Sequence, residues 1–128
     1  MPTTTVLKRI QSLDRQKTSL YPKLIGELFK ELKNLSSFTL TAKEEYDDNN
    51  YYTEIAITAV NGIELPYEVS SEYFEDDAEG DDWKTFFMAS KTKSEDILKV
   101  LDIINNIDSS YVQNNLCYDE IKRAKYVH

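Results

Sequence analysis

The chain has 128 residues, 41% of them apolar, with 15 basic and 23 acidic side chains for a net charge of -8. One domain of that length buries enough surface to fold without disulfides or metal, and its single cysteine, Cys117, excludes an internal disulfide and suits a reducing cytoplasm. The acid excess argues against direct nucleic-acid binding and against anionic membranes. No apolar run approaches a membrane span, and Lys8, Arg9, Gln11 and Ser12 interrupt any signal-peptide core near the start.

The charge is unevenly spread. Residues 1–35 carry seven bases against three acids, a net +4, and residues 84–128 carry seven bases against six acids, a net +1. Residues 36–83 carry fourteen acids against Lys43 alone, a net -13, so all the excess lies in the middle third.

Val6, Ile10 and Leu13 recur at helical spacing behind the N-cap candidates Thr3–Thr5, which predicts a first helix over about 4–17. Leu24, Ile25, Leu28, Leu32 and Leu35 form one apolar stripe and predict a second helix over about 20–34. Pro22 sits where a helix can begin and would kink or separate the two, so the spacing leaves open whether they are continuous.

The period then changes to two. Phe38, Leu40 and Ala42, then Ile55, Ile57 and Ala59, then Ile63, Leu65, Tyr67 and Val69 alternate with polar residues, giving an antiparallel meander of three strands, or four if the segment after Trp83 adds one. A loop at Asp47–Asn50 sets Tyr46 opposite Tyr51, Ala42 opposite Ile55, Leu40 opposite Ile57 and Phe38 opposite Ala59, with Lys43 meeting Glu54 as a cross-strand ion pair. Asn61-Gly62 suggests a two-residue turn. That register would send the apolar residues of its two strands to opposite faces, so a three-residue loop with a bulge at Gly62 is expected instead. It sets Ala59 opposite Ile63, Ile57 opposite Leu65 and Ile55 opposite Tyr67. Pro66 marks the third strand as an edge.

Residues 72–82 hold seven carboxylates (Glu72, Glu75, Asp76, Asp77, Glu79, Asp81 and Asp82) and read as a loop. Residues 84–90 fit a strand or a helical turn equally well. Ser94 then resembles an N-cap before a helix over about 94–107 carrying Ile97, Leu101, Ile104 and Ile107. Ser109 or Ser110 would cap a last helix running through Tyr111, Val112, Leu116, Ile121 and Ala124. The expected fold is α+β: N-terminal helices, the meander with one apolar face covered by helices, and C-terminal helices, all in a single domain over 1–128.

No catalytic constellation is apparent. The only histidine is His128, the last residue, so neither a serine nor Cys117 has a base. Gly26, Gly62 and Gly80 are too scattered for a phosphate loop, and zinc ligands do not cluster. An EF-hand register begun at Asp77 meets Asp82 where glycine is required and Met88 where glutamate is required. Calcium is therefore the third reading, and no catalytic, cofactor or metal residue is assigned.

The leading expectation is a non-enzymatic protein binder. Glu72, Glu75, Asp76, Asp77, Glu79, Asp81 and Asp82 are flanked by Tyr73, Phe74 and Trp83, and Asp47 and Asp48 by Tyr46, Tyr51 and Tyr52. Such a surface suits the basic groove of a nuclease or another nucleic-acid enzyme, as in immunity, anti-restriction and anti-CRISPR inhibitors. The alternative is an accessory subunit without inhibitory activity. A homodimer, with the +4 front of one copy on the -13 centre of another, is a further arrangement the charge pattern permits.

Overall fold

A computed structural model describes residues 3–70 and 80–127, and for residues 3, 4, 6–11 and 14 the backbone course only. The described chain is α+β, with helices before and after a four-stranded antiparallel sheet. The elements are α1 (Thr3–Glu31), β1 (Ser37–Asp47), β2 (Asn50–Val60), β3 (Ile63–Val69), α2 (Asp81–Ser90), α3 (Ser94–Asn105), α4 (Ser109–Asn115), β4 (Glu120–Lys122) and α5 (Arg123–Tyr126). The sheet order is β3-β2-β1-β4, which puts β3 and its Pro66 on an edge as expected.

The two expected N-terminal helices are one. Pro22 lies inside α1 and removes one helical hydrogen bond, a defect of roughly 3 kcal/mol in an isolated helix. Packing on both sides of it offsets that cost: Tyr21, Ile25, Leu28 and Phe29 are all buried in the core. Phe29, fully buried against Phe38 at 5.6 Å between ring centroids, lies on a stripe the aliphatic spacing did not include. The helix also stops sooner than expected, at Glu31.

The first hairpin keeps the expected register near its tip, with Tyr46 opposite Tyr51, Lys43 opposite Glu54, Ala42 opposite Ile55 and Leu40 opposite Ile57. Below Leu40 it shifts. Phe38 pairs with Val60 rather than Ala59, because a bulge leaves Thr58 without a Cα partner. The second hairpin is corrected in consequence. Asn61 and Gly62, at φ 55° and 78°, form a two-residue turn, and Val60 meets Ile63 and Ala59 meets Glu64. The phase slip assigned to the turn sits inside β2 instead, so Ile57 and Val60, three residues apart, both face the core. The expected pairs of Leu65 and Tyr67 are replaced by a ladder break, after which Ile57 meets Val69. Pro66, with no N–H to donate, falls in that break.

Residues 84–90 are helical. Asp81 and Asp82 belong to the first turn of α2, where their charge complements the helix dipole, and not to a loop. In α3 the N-cap is Lys93 rather than Ser94: its N–H donates to the Asp96 carboxylate at 2.9 Å. The expected long last helix is broken as well. It ends at Asn115, Tyr118 takes φ 72°, and Glu120–Lys122 turn back to pair with Ser37–Thr39 as β4. Ile121, expected on a helix, is buried at the sheet edge opposite Phe38.

One hydrophobic cluster joins these elements across a single face of the sheet. Leu40, Ile57, Val60, Leu65 and Val69 meet Ile25 and Phe29 of α1, Trp83 and Phe86 of α2, and Ile97, Leu101 and Ile104 of α3. Two polar side chains fix its frame. Asn61 Oδ1 accepts the Ser36 N–H at 2.7 Å, the Ser36 hydroxyl at 3.0 Å and the Ser37 N–H at 3.3 Å. Its Nδ2 donates to the Asn34 and Ser90 carbonyls, each at 2.8 Å. Arg123 donates to the Leu32 carbonyl at 2.6 Å and the Leu35 carbonyl at 2.9 Å, with its guanidinium over the Phe29 ring.

Two outcomes are expected. Asn61→Ala lowers unfolding stability by about 2–3 kcal/mol in denaturant titrations. Asn61→Gly, which keeps the turn but loses the amide, recovers only the backbone part of that loss. Gly26→Ala, which in an open helix stabilises by about 1 kcal/mol, destabilises here, because the added Cβ would stand 2.9 Å from the Tyr126 carbonyl oxygen. A rise in melting temperature for that variant would contradict the packing of α5 on α1.

Candidate protein interface on an acidic hairpin arm

The outer half of the β1–β2 hairpin projects beyond its neighbours in the sheet. Strand β4 pairs only with Ser37–Thr39, and β3 pairs with β2 only at Ile57, Ala59 and Val60. Residues 44–53 therefore form a two-stranded arm whose outer edges, among the described residues, have no further strand beside them. Asp48 and Asn49, at φ 45° and 69°, make its two-residue turn, which replaces the four-residue loop expected at Asp47–Asn50.

The arm is acidic and aromatic. Residues 44–54 hold Glu44, Glu45, Asp47, Asp48 and Glu54 and no basic side chain. Tyr46 and Tyr51, as expected, sit opposite each other, with ring centroids 4.9 Å apart, and Tyr46 donates a 2.7 Å hydrogen bond to Asn49 Oδ1. Packing and hydrogen bonding hold the pair while leaving it open to solvent, Tyr51 at 78% exposure. Tyr52 is exposed beside them.

Two contacts steady the root of the arm. Lys43 stands opposite Glu54 but forms its ion pair with Glu68 of β3, and that pairing holds its ammonium pKa above the ordinary value. A depression of about 230 Å³ on this outer face is lined by Lys43, Glu45, Glu54 and Glu68, so carboxylates outnumber the lysine. On the other edge, Tyr118 donates its N–H to the Leu40 carbonyl and its hydroxyl to the Ala42 carbonyl, both at 2.8 Å. No sequence pattern marks Tyr118 as a functional residue. It lies in a stretch read as helix, and only its positive φ aims both donors at β1.

The expected partner-binding residues separate into three groups and one core residue. Asp47 and Asp48 lie on the arm tip, solvent-exposed. Asp81 and Asp82 are exposed at the start of α2. Glu72, Tyr73, Phe74, Glu75, Asp76, Asp77 and Glu79 lie outside the described residues. Trp83 requires a correction, since at 2% exposure it is a core residue and not a surface anchor. Its indole packs edge-on against Tyr67 at 5.2 Å and Phe86 at 5.5 Å, because helical periodicity points it from α2 onto the sheet. Ser70 lines a cleft of about 430 Å³ with Tyr52, Thr53 and Glu54, and the Tyr67–Trp83 contact ties the start of α2 to the end of β3.

Among the described residues no group of three or more histidine, cysteine, aspartate or glutamate side chains could hold a metal ion, and no helix is long and apolar enough to cross a membrane. Cys117 is buried, and burial pushes its thiol above the ordinary pKa. No family model, curated protein or solved structure matches the chain.

Burial also raises the Tyr126 phenol above its ordinary value. Both groups are more easily ionised in the unfolded chain. Their contribution to stability is therefore intact below the ordinary thiol and phenol range and is lost as pH rises through it. Unfolding titrations are expected to show stability falling from about pH 9 upward. Alkylation of Cys117 by iodoacetamide at pH 8 should be at least about tenfold slower in the folded than in the denatured protein.

Proposed function

We propose that this protein is a small acidic, non-enzymatic protein-binding protein of the cytoplasm that docks on a basic partner. The partner we favour is a nuclease or another nucleic-acid-binding enzyme, inhibited as immunity, anti-restriction and anti-CRISPR proteins inhibit theirs. The observation that carries this reading is the arm. Glu44, Glu45, Asp47 and Asp48 place four carboxylates in five successive residues with no base among them. Because strand side chains alternate, Glu45 and Asp47 stand about 7 Å apart on one face, Glu44 lies on the other and Asp48 caps the turn, so the arm presents negative charge on both faces and at its tip. A groove built to hold phosphates would attract such an edge, and the exposed Tyr46, Tyr51 and Tyr52 supply rigid apolar area for a desolvated contact.

Asp81 and Asp82, together with Glu72, Tyr73, Phe74, Glu75, Asp76, Asp77 and Glu79 of the acidic run, are proposed to extend the same surface. Trp83 supports it only from within. Steric occlusion of the groove needs no catalytic group and no cofactor.

Capture of the full chain with its partners from its own cells, followed by mass spectrometry, supplies the purified pair for the test. The quadruple variant Glu44→Gln, Glu45→Gln, Asp47→Asn and Asp48→Asn should bind at least about tenfold more weakly and with a flatter dependence on salt, while unfolding like the parent. The parent should displace DNA or RNA from the partner in proportion to the complex formed. Unchanged affinity in the quadruple variant, or a partner without a basic nucleic-acid groove, overturns the reading. Tight binding that leaves the partner's activity intact makes the protein an accessory subunit instead.

A further inference from the structure

The helical side of the molecule carries a concavity of the opposite character. A pocket of about 390 Å³ opens where α1, α4 and α5 meet, lined by Lys23, Tyr111, Asn115, Leu116, Lys125 and Tyr126, with Pro22 at its margin. That volume falls within the range of small-molecule sites. No carboxylate lines it, although the chain as a whole has a net charge of -8.

Its two lysines differ from their neighbours. Lys17 and Lys30 of the same helix hold Asp108 and Glu27, each at 3.3 Å. Among the described residues Lys23 and Lys125 have no carboxylate within ion-pair distance, and the Lys125 ammonium lies 5.8 Å from the Tyr126 ring centroid. The walls are held by contacts of their own. Tyr111 packs against the buried Tyr21 at 4.7 Å, Tyr126 stacks on Phe29 at 6.2 Å, and the Asn115 amide donates to the Tyr111 carbonyl at 3.1 Å. The close approach of Gly26 to the Tyr126 backbone brings α5 near enough to α1 to form the pocket.

We infer that this pocket is a binding site for a small aromatic anion, the ring lying between the Tyr111 and Tyr126 walls and the anionic end, a phosphate or carboxylate, held by Lys23 and Lys125. Tyrosine rings suit a planar ligand, and two ammonium groups with no carboxylate partner among the described residues suit a compact anion. The site is separate from the acidic arm, and the inference does not depend on the function proposed for the arm.

Calorimetric titration of the full chain with phenyl phosphate, benzoate, inorganic phosphate and phenol tests it. Phenyl phosphate or benzoate should saturate at one site per chain, inorganic phosphate and phenol should each bind at least about tenfold more weakly, and added salt should weaken the anions. Lys23→Gln and Lys125→Gln are exposed changes that leave the fold intact, and each should lower affinity about tenfold. Tyr111→Leu should weaken phenyl phosphate more than inorganic phosphate. No saturable binding by either aromatic anion, or binding indifferent to both lysine variants, overturns the site. Equal affinity for phenyl phosphate and inorganic phosphate overturns the aromatic part of the assignment.

Discussion

The side-chain amide of Asn61 meets the end of the first helix, the entry to the first strand and the last carbonyl of the second helix at once. It can do so because asparagine tolerates the left-handed backbone of a tight hairpin turn, and because an amide both donates and accepts. Most of the segment it serves, residues 32–36, is irregular chain between a helix and a strand, where backbone groups have no ladder of their own. Arg123 satisfies the remaining carbonyls from the other side, and its own N–H bonds to the Ser36 carbonyl at 2.8 Å. Two side chains far apart in sequence thus hold the connection between α1 and the sheet, and Asn61 ties the end of α2 to it.

The arm is a consequence of the same frame. With the roots of β1 and β2 held, the hairpin strands are longer than the strands that flank them, and the excess length extends past the core. The bulge at Thr58 sets which residues face inward below it, and the unbroken register above it carries the alternation out to the tip. Carboxylates and tyrosines therefore emerge in fixed positions. The cost of ordering them falls on folding rather than on association.

Much of this was legible in the sequence. The change of period near residue 36 gave the strands, and the alternation around Tyr46 and Tyr51 gave the tip register. What escaped depends on forces that act across the fold. Pro22 argues locally for a break, yet Ile25, Leu28 and Phe29 bury enough surface to keep the helix whole. Asn61-Gly62 is a two-residue turn motif, yet alternation favours a bulged loop there, because a slip of phase can sit anywhere along a strand and alternation alone does not locate it. Trp83 looked like an interface anchor because it follows an acidic run. On a helix, the same residue points one way only, and here that way is inward. Strand β4 is three residues long and has no periodicity to detect; it exists because β1 offers it an edge.

The edges of the arm, which no strand pairs among the described residues, set a limit on how it can change. An unpaired strand edge invites pairing with any other, and two copies of this arm would zip together along theirs. Glu44, Glu45 and Asp47 on β1 and Glu54 at the base of β2 line those edges, and like charge keeps the copies apart. The same carboxylates thus act as gatekeepers of solubility. Neutralising them one at a time removes the guard along with the charge, so drift at these positions is opposed by aggregation even where no partner is present.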